Sequence, residues 1–338
     1  MVRKKNKVPT LYDVANLAGV SPSTVSRFLN RTTYVSEDKS HKIEHAITSL
    51  GYKPNFQMQQ DKNRRSMTIG VLVQHPDSPY TSSILNDMER VLMAQGYSLV
   101  LATGHWQNKL EVNALEYLLK CAVDGLIVVT GSLSEELILK TAKSLPVVAV
   151  GYNIEGENIR SLRLDNSLGG YMATLHLLQL GHMNIAHIKG LDNQPDSKAR
   201  FQGYKKALLE ASIKPNPKLI MQGDFSAESG YQKTIELIES KIHFSAIFAA
   251  NDQTAYGAIK ALTDRGLRVP EDVSVVGFDD LPVSRYFTPA LTTLRQPIEE
   301  IGTLCARSML NLLARENNEA RLPPIDLVVR QSTKSIYR

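Results

Sequence analysis

Short apolar runs alternate with helix-like segments beyond residue 67, and this alternation constrains the fold of the chain most strongly. The apolar runs are TIGVLV, SLVLAT, GLIVV and PVVAV, followed by NIAHIKG, KLIMQGD, SAIFAA and DVSVVGFDD. Helical patterns such as SSILNDMERVLMAQG separate the first four, and others at about 166–180, 196–211, 226–240 and 251–265 separate the rest. Such alternation is typical of right-handed βαβ units. It predicts an α/β body of two lobes, each a doubly wound parallel sheet.

The N-terminal residues have a different pattern, which predicts three short helices. In TLYDVANLAGVSPSTVSRFLN, apolar residues follow Thr10 at helical spacing and Gly19 interrupts them. Ser21 can cap a second helix whose first residue is Pro22. VSEDKSHKIEHAITSLGY predicts a third helix, capped by Ser36. Two short helices around a three-residue turn match the helix-turn-helix unit, whose second helix enters the DNA major groove.

The charge of the chain is concentrated in the same region. Residues 1–66 carry 12 lysines and arginines against 5 aspartates and glutamates, whereas the remaining residues carry 27 against 29. A cationic N-terminal region on a slightly acidic body indicates that this region alone meets a polyanion. Ser23, Thr24 and Arg27, near the start of the second helix, are candidates to reach base edges or phosphates.

Several classes of protein are disfavoured. No apolar run approaches the roughly 18 residues needed to span a bilayer, and no apolar segment follows the basic N-terminus, so a soluble cytoplasmic protein is expected. Cys121 and Cys305 stand alone, which argues against disulfides and cysteine-based zinc sites. His41, Glu44 and His45 spell H-x-x-E-H, but the third helix of so small a domain offers no cleft, so we expect no metal there.

The N-terminal motif resembles that of the LacI/GalR family of bacterial transcription regulators. The pattern T-x-x-D-V-A-x-x-A-G-V-S-x-x-T-V-S-R-x-L-N runs from Thr10 to Asn30, and the likeness continues in LGYKPN and through the large domain. The resemblance implies a helix-turn-helix head at 1–54, a hinge segment at 55–66 and a periplasmic-binding-protein-like body at 67–338. In that body the first lobe would comprise about 67–163 and 295–323, and the second lobe about 164–294 and 324–338.

The resemblance also implies partners and DNA-binding residues. Members act as homodimers on pseudopalindromic double-stranded operator DNA, and a small effector bound between the lobes controls their operator affinity. The residues expected to bind DNA are Thr10, Ser21, Pro22, Ser23, Thr24, Ser26, Arg27, Asn30, Tyr52, Asn55, Met58 and Lys62. In the hinge segment, family members insert a leucine into the minor groove, whereas this chain has Asp61. Either Phe56 or Met58 inserts instead, or the operator is bent less.

Polar residues follow the predicted strands, at the edge where open α/β sheets bind ligands. The residues expected to bind the effector are His75, Asp77, Tyr80, Tyr152, Arg200, Phe225, Asn251, Asp279 and Gln296. The resemblance assigns Arg200, Asn251 and Asp279 to polar contacts and Phe225 to an aromatic platform. Tyr152 lies where several sugar-binding relatives have a charged residue. We expect Asp252 and Asp280 to have structural roles, as a helix cap or a solvated loop residue.

The predicted function is a ligand-controlled repressor of transcription without cofactor, metal or catalytic residues. A sugar or glycoside is the preferred effector, and a purine or nucleoside is the alternative in the same architecture. A plain sugar-binding protein and a sugar-modifying enzyme are the competing classes. A secreted binding protein would need a signal peptide and no basic head, and no dinucleotide, P-loop or nucleophile-elbow motif supports an enzyme.

Overall fold

A computed structural model describes residues 9–30, 34–52, 65–316 and 321–337. The chain forms two compact units, Met1–Arg64 and Arg65–Arg338; the first contains the head and the second contains the body. The head has three helices: α1 (Leu11–Ala18), α2 (Pro22–Asn30) and α3 (Glu37–Leu50). Val14, Val25, Ile43 and Ala46, drawn from all three helices, are almost fully buried and form its core.

Side-chain caps begin α1 and α2, as the sequence predicted, whereas Ser36 stands at the N-cap position of α3 but its side chain makes no capping hydrogen bond. Thr10 and Asp13 form a capping box: Asp13 N donates to Thr10 Oγ1 at 3.3 Å, and Thr10 N donates to Asp13 Oδ2 at 2.7 Å. Gly19 ends α1 in the left-handed conformation, with φ 63°. Thr24 N then donates to Ser21 Oγ at 3.2 Å, which caps α2. These caps fix the sharp turn between the two helices.

The body alternates strands and helices. Its strands are β1 (Thr68–Val73), β2 (Ser98–Thr103), β3 (Gly125–Val129), β4 (Val147–Val150), β5 (Ile159–Leu162), β6 (Ile185–Lys189), β7 (Ile220–Gln222), β8 (Ala246–Ala249), β9 (Ser274–Asp279), β10 (Thr292–Arg295) and β11 (Asp326–Val328). Its α-helices are α4 (Pro79–Met93), α5 (Asn108–Lys120), α6 (Glu135–Ala142), α7 (Asn166–Gln179), α8 (Pro195–Glu210), α9 (Ala227–Glu239), α10 (Asp252–Asp264) and α11 (Ile298–Ala314). Two short 3-10 helices lie at Pro217–Leu219 and Pro282–Arg285.

The strands form two sheets, one in each lobe. The first has the order β2-β1-β3-β4-β5 and is parallel throughout; the second has the order β11-β10-β9-β8-β6-β7. Strands β1, β3 and β4 are buried along nearly their whole length, because helices cover both faces of a parallel sheet. Strand β11 runs antiparallel to β10, so the second sheet is mixed rather than wholly parallel as predicted.

Helix α11 joins the lobes. It follows β10 of the second sheet, yet it packs against α4 and the core of the first lobe. The packing is close at Gly302, where a Cβ would lie 2.4 Å from the carbonyl oxygen of Ile84. The chain therefore passes between the sheets after β5, after β10 and again before β11.

The first residues of the body, Arg65–Met67, are fastened to the first lobe; we call them the anchor segment. Arg65 Nη2 donates to the carbonyl oxygen of Leu313, in the last turn of α11, at 2.7 Å, and its Nη1 donates to Tyr97 Oη at 3.0 Å. The backbone N–H groups of Ser66 and Met67 donate to the two carboxylate oxygens of Asp124, both at 2.8 Å. The chain thus enters β1 from a fixed position.

Helices α7 and α8 touch through their backbones. A Cβ on Gly203 would lie 2.0 Å from the carbonyl oxygen of Ser167, and one on Gly170 would lie 2.1 Å from that of Arg200. Real Cβ atoms do not approach backbone oxygens so closely. Only glycine permits this contact, which sets the position of α8 and of Arg200 within it.

Replacing Gly203 with alanine is expected to lower the free energy of unfolding by about 3 kcal/mol or more, because the two helices must separate. Alanine has the higher helix propensity by about 1 kcal/mol, so any loss reports the steric clash. Gly156→Ala, in the loop before β5, is the control for adding a methyl group where there is space, since its Cβ would meet its nearest neighbour at an ordinary 3.4 Å. Urea unfolding of both variants measures the effect; equal stability would contradict the close contact.

A histidine lies in the core of the second lobe. His187 in β6 is fully buried, and its ring stacks on Phe248 with centroids 4.6 Å apart. Its Nδ1–H donates to the Phe248 carbonyl oxygen at 2.9 Å. The pKa of His187 is lowered to about 4, mainly by burial; the Phe248 hydrogen bond opposes this shift, and the nearby cations of Lys189 and Arg200 add to it.

The pKa of His187 predicts acid sensitivity. Because the folded-state pKa lies below the unfolded value of 6.5, the stabilisation is present above pH 6.5 and is lost as the pH falls towards 4. The loss would be on the order of 3 kcal/mol. His187→Phe keeps an aromatic ring but cannot titrate, so the wild type should lose that much more stability than the variant between pH 7 and 4. Urea unfolding at several pH values measures the difference, and parallel profiles would refute it.

Candidate ligand-binding cavity and DNA-binding helix

A cavity of about 660 Å³ lies between the carboxyl ends of the strands of the two lobes. Its position follows from the topology, because the loops that leave these strand ends meet where the two sheets face each other. The structure brings eight of the nine predicted effector-binding residues to its wall: His75, Asp77, Tyr80, Arg200, Phe225, Asn251, Asp279 and Gln296.

A buried charged array forms one end of the cavity. The guanidinium of Arg200, on α8, donates through Nε to Asn166 Oδ1 at 2.9 Å and through Nη1 to the Ala250 carbonyl oxygen at 2.6 Å. Asp279 Oδ1, at the end of β9, lies 3.9 Å from Arg200 Nη1 and accepts a hydrogen bond from Gln296 Nε2 at 2.6 Å. These contacts hold a cation, a carboxylate and an amide in fixed orientations.

The pKa values of two carboxyl groups at this end of the cavity are raised. Burial raises the pKa of Asp279 to about 6, although the Arg200 guanidinium and the Gln296 hydrogen bond lower it. Burial also raises the pKa of Asp196, at the start of α8, against the opposing effect of Arg200. Asp279 has φ 124°, an unfavourable backbone conformation for a residue with a side chain, and such strain is concentrated at binding sites.

Phe225 supplies a flat surface to the cavity wall. Its ring lies over the backbone of Gly190, where a Cβ would come within 2.0 Å of it, and its centroid is 5.9 Å from the guanidinium carbon of Arg200. The backbone of Phe225 is left-handed, with φ 72°. Asp224, before Phe225, accepts hydrogen bonds from Ser226 N and Ser226 Oγ, after Phe225, and so closes a turn around it. The aromatic ring is therefore positioned by a glycine beneath it and a turn beside it.

Asn251 lines the cavity and also caps helix α10. Its Oδ1 accepts hydrogen bonds from Thr254 N at 2.9 Å and Thr254 Oγ1 at 2.7 Å, which caps α10. Only its amide nitrogen is left for a ligand.

Asp252 and Asp280 do not line the cavity. Asp252 is fully buried rather than solvated, and it accepts hydrogen bonds from Leu281 N, Ser284 Oγ and Thr293 Oγ1. Asp280 pairs with Arg295 at 2.7 Å and with Arg330 at 2.6 Å.

Tyr152 is the predicted effector residue that the structure places elsewhere. Its side chain is buried in the core of the first lobe, in the same cluster as Leu133 and Ile154. Gly151, with φ 82°, turns the chain after β4, so the next side chain enters the core instead of the cavity. The interpretation of Tyr152 as a stacking residue is therefore wrong.

The cavity wall also contains residues that the sequence analysis missed, among them Gln74, His105, Trp106, Asn193 and Gln194. Gln74 follows β1, and the pair His105–Trp106 follows β2. Strand-end position is the same signal that identified the other residues, and applying it to every strand would have found these.

The second helix of the head presents the predicted DNA-binding surface. Ser23 and Arg27 are exposed on α2, and Pro22, Thr24 and Ser26 are half-buried. Thr10 and Ser21 serve as helix caps, and Tyr52 packs against the head core. Asn55, Met58, Asp61 and Lys62, and the side chain of Asn30, lie outside the described residues. Tyr12 and Tyr34, which the sequence analysis did not select, are exposed on the head.

The H-x-x-E-H motif forms no cluster. His41 Nδ1 is 3.9 Å from Glu44 Oε2, and both side chains are exposed on α3. Within the described ranges, no group of three histidine, cysteine, aspartate or glutamate side chains could hold a metal ion. None of the helices in those ranges has the length and apolar composition needed to cross a bilayer.

Comparison with known proteins agrees with this architecture. The family model described as bacterial regulatory proteins, lacI family, matches residues 10–55, and the periplasmic binding protein-like domain matches residues 174–333. The HTH-type transcriptional repressor PurR of Histophilus somni is 34% identical over 331 residues, covering 97% of this chain and 99% of the relative.

Solved structures of two regulators are also similar. The complex of the transcriptional regulator CelR with cellobiose has a TM-score of 0.70 and 34% identity, covering 96% of this chain and 99% of that one. The Lac repressor dimer bound to operator and the anti-inducer ONPF has a TM-score of 0.72 and 32% identity, covering 97% of this chain and 100% of that one. With its helix-turn-helix head and two-lobed α/β body, the chain belongs to the LacI family of bacterial transcriptional regulators.

Proposed function

We propose that the protein is a homodimeric repressor that binds a pseudopalindromic operator and whose operator affinity is controlled by a sugar or glycoside in the cavity. The observation that carries this proposal is the buried array of Arg200, Asp279 and Gln296 at one end of a 660 Å³ cavity. Burying a cation and a carboxylate where two sheets face each other is costly, and a ligand-binding role accounts for it.

The chemistry of the wall favours an uncharged polyhydroxyl ligand. Carboxyl groups of Asp77, Asp196, Asp224 and Asp279 line the cavity against the single guanidinium of Arg200, within the described residues. This excess of negative charge disfavours phosphorylated ligands, whereas sugar hydroxyls can donate to carboxylates and accept from a guanidinium. Phe225 offers its face to the apolar side of a sugar ring. The similarity to the cellobiose complex of CelR supports the same class.

A purine or nucleoside is the second candidate. Phe225 and Trp106 both line the cavity and would stack on a flat base as well as on a sugar ring. The similarity to repressors named PurR also supports this candidate.

The DNA-binding surface would be the exposed side of α2. Ser23, Thr24 and Arg27 would reach base edges, while Ser26 and the capping residues would meet phosphates. We propose residues 1–54 as the DNA-binding head, 55–66 as the hinge segment and 67–338 as the effector-binding and dimerisation domain, in the cytoplasm with the chromosome. Because one head covers only a half-site, two heads are needed for affinity and spacing.

The proposal is tested by finding the operator and the effector in turn. Selection from a random-sequence duplex pool by the full-length protein yields the selected operator. Glucose, galactose, ribose, cellobiose, lactose, hypoxanthine and adenosine are then screened for a thermal shift, and each hit is added to an operator titration. We expect a sugar to change operator affinity by about 5- to 150-fold. Failure to select any DNA contradicts the proposed operator binding. A response to bases and nucleosides only contradicts the proposed sugar effector.

The enzyme alternative is tested with the same ligands. Incubation of each hit with the protein, followed by chromatography, should return the ligand unchanged, because a regulator releases what it binds. Accumulation of product at catalytic ratios would favour the enzyme.

A further inference from the structure

The turn after β2 is held in an unusual conformation beside the cavity. His105 and Trp106 are consecutive residues with φ 48° and 57°, in the left-handed region that residues with side chains rarely adopt. Trp106 N donates to Gln74 Oε1 at 2.7 Å, and Gln74 Nε2 donates to the Thr130 carbonyl oxygen at 3.2 Å. Gln74 is only 3% exposed. A buried amide therefore fixes a strained turn that brings Trp106 to the cavity wall, as at many binding sites.

The second lobe faces this turn with two amides. Asn193 Nδ2 donates across the cleft to the Trp106 carbonyl oxygen at 3.3 Å. The next residue, Gln194, is 4% exposed, lines the cavity and has no hydrogen-bond partner at Nε2. The described residues contain three other buried side-chain atoms of this kind, on Tyr152, His187 and Ser308, and none of these residues lines the cavity. A buried donor without a partner is rare, and of the four residues that carry such an atom only Gln194 lines the cavity.

The cavity wall has a buried charged part, which we call the charged end, and an exposed aromatic part, which we call the exposed end. The side chains of Arg200 and Asp279 are 6% and 5% exposed, whereas that of His75 is 49% exposed. At the exposed end, the rings of His75 and His105 meet edge to face with centroids 5.2 Å apart, next to Trp106. A single sugar ring bound at the charged end would not contact Trp106 or use the unpaired amide of Gln194.

We propose that the exposed end is a subsite for a second ring, so that the ligand is an uncharged disaccharide or aryl glycoside. Trp106 stacks on this second ring, and Gln194 Nε2 donates to one of its oxygens or to the glycosidic oxygen. This inference rests on the proposed sugar-binding function. It assigns the first ring to the array of Arg200, Asp279 and Gln296.

The test compares matched pairs of one-ring and two-ring sugars on the full-length protein: glucose with cellobiose and with phenyl β-glucoside, and galactose with lactose and with phenyl β-galactoside. Calorimetry gives each Kd for the wild type, Trp106→Ala, Trp106→Phe and Gln194→Ala. Tyr117→Ala, which removes an exposed aromatic ring on α5, is the matched control.

We expect at least one two-ring sugar to bind the wild type about tenfold or more tightly than its one-ring partner. Trp106→Ala should bring that ratio close to one, Trp106→Phe should restore part of it, Gln194→Ala should lower it and Tyr117→Ala should leave it unchanged. Thermal unfolding of the variants shows whether a loss comes from misfolding, and Trp106→Phe keeps the test valid if the alanine variant is unstable.

Three outcomes would overturn the inference. Equal binding of one-ring and two-ring sugars to the wild type removes the second subsite but leaves the proposed sugar-controlled repressor intact. A preference for two rings that survives in Trp106→Ala places the subsite elsewhere. Binding of none of these six sugars, whether or not hypoxanthine or adenosine binds, contradicts both the subsite and the proposed sugar effector.

Discussion

Replacing Arg27 with alanine is expected to abolish binding to the selected operator while effector binding is retained. Arg27 is exposed on α2, one turn beyond Ser23. A bidentate arginine–base contact contributes about 1–3 kcal/mol, and a homodimer has two such contacts, so a loss on the order of 100-fold or more is expected. Fluorescence anisotropy with labelled operator measures the loss, and calorimetry measures effector affinity.

Arg90→Ala is the matched control for charge. Arg90 is an exposed arginine on α4 that pairs only with Asp87 among the contacts of the described residues. The same removal of one positive charge in the body should change operator affinity by less than about twofold at physiological salt. Unchanged operator binding by Arg27→Ala would show that α2 does not contact DNA through this residue.

Replacing Asp279 with alanine is expected to eliminate the effector response while operator binding without effector persists. The change removes the acceptor for Gln296 Nε2 and leaves the buried guanidinium of Arg200 without its nearby carboxylate. A loss of effector affinity on the order of 100-fold is expected, since an ionised acceptor that bonds two hydroxyls contributes about 1.5–3 kcal/mol per hydrogen bond. Operator titration at an effector concentration that saturates the wild type measures the response; an undiminished response contradicts the role of Asp279.

Asp279→Asn separates charge from shape in this test. Because burial raises the pKa of Asp279 to about 6, the carboxyl group is ionised at pH 7 and mostly protonated at pH 5. Effector affinity of the wild type should therefore fall as the pH is lowered from 7 to 5. The asparagine variant should bind more weakly at pH 7 and lack that titration.

Much of the fold could be predicted because the period of apolar residues fixes the type of each long element. The strand at Thr68–Val73 and the helices at α7–α10 agree with the predicted segments to within a few residues. Strands β5, β10 and β11 were missed because polar or charged residues interrupt their short sequences, IRSL, TTLR and DLV, so that no apolar run stands out. These short strands are positioned by pairing with neighbours, which local sequence does not encode.

The site could be predicted where a polar side chain lies at or just after the end of a strand. Asp279 is the last residue of β9, and Asn251 stands two residues after β8. Tyr152 was wrong because a left-handed Gly151 reverses the direction of the next side chain. The strand-end rule, applied after β2, would have found Trp106, but it would not have shown the two consecutive left-handed residues that bring this side chain to the cavity wall. Neither conformation can be read from residue type alone, since tertiary hydrogen bonds such as that from Trp106 N to Gln74 hold it in place.

Helix α11 connects the cavity wall to the anchor segment of the first lobe. One end follows directly on Gln296, in the cavity wall, and the other end is bonded to Arg65, where the chain from the head arrives. A helix of this length spans roughly 25 Å, and it is stiffened by its contact with α4 at Gly302. If it pivots at the cavity by on the order of 10°, its far end swings about 4 Å. Helix α11 therefore links the cavity wall to the anchor segment, and we expect a displacement of its first turn by a ligand to be carried to Arg65.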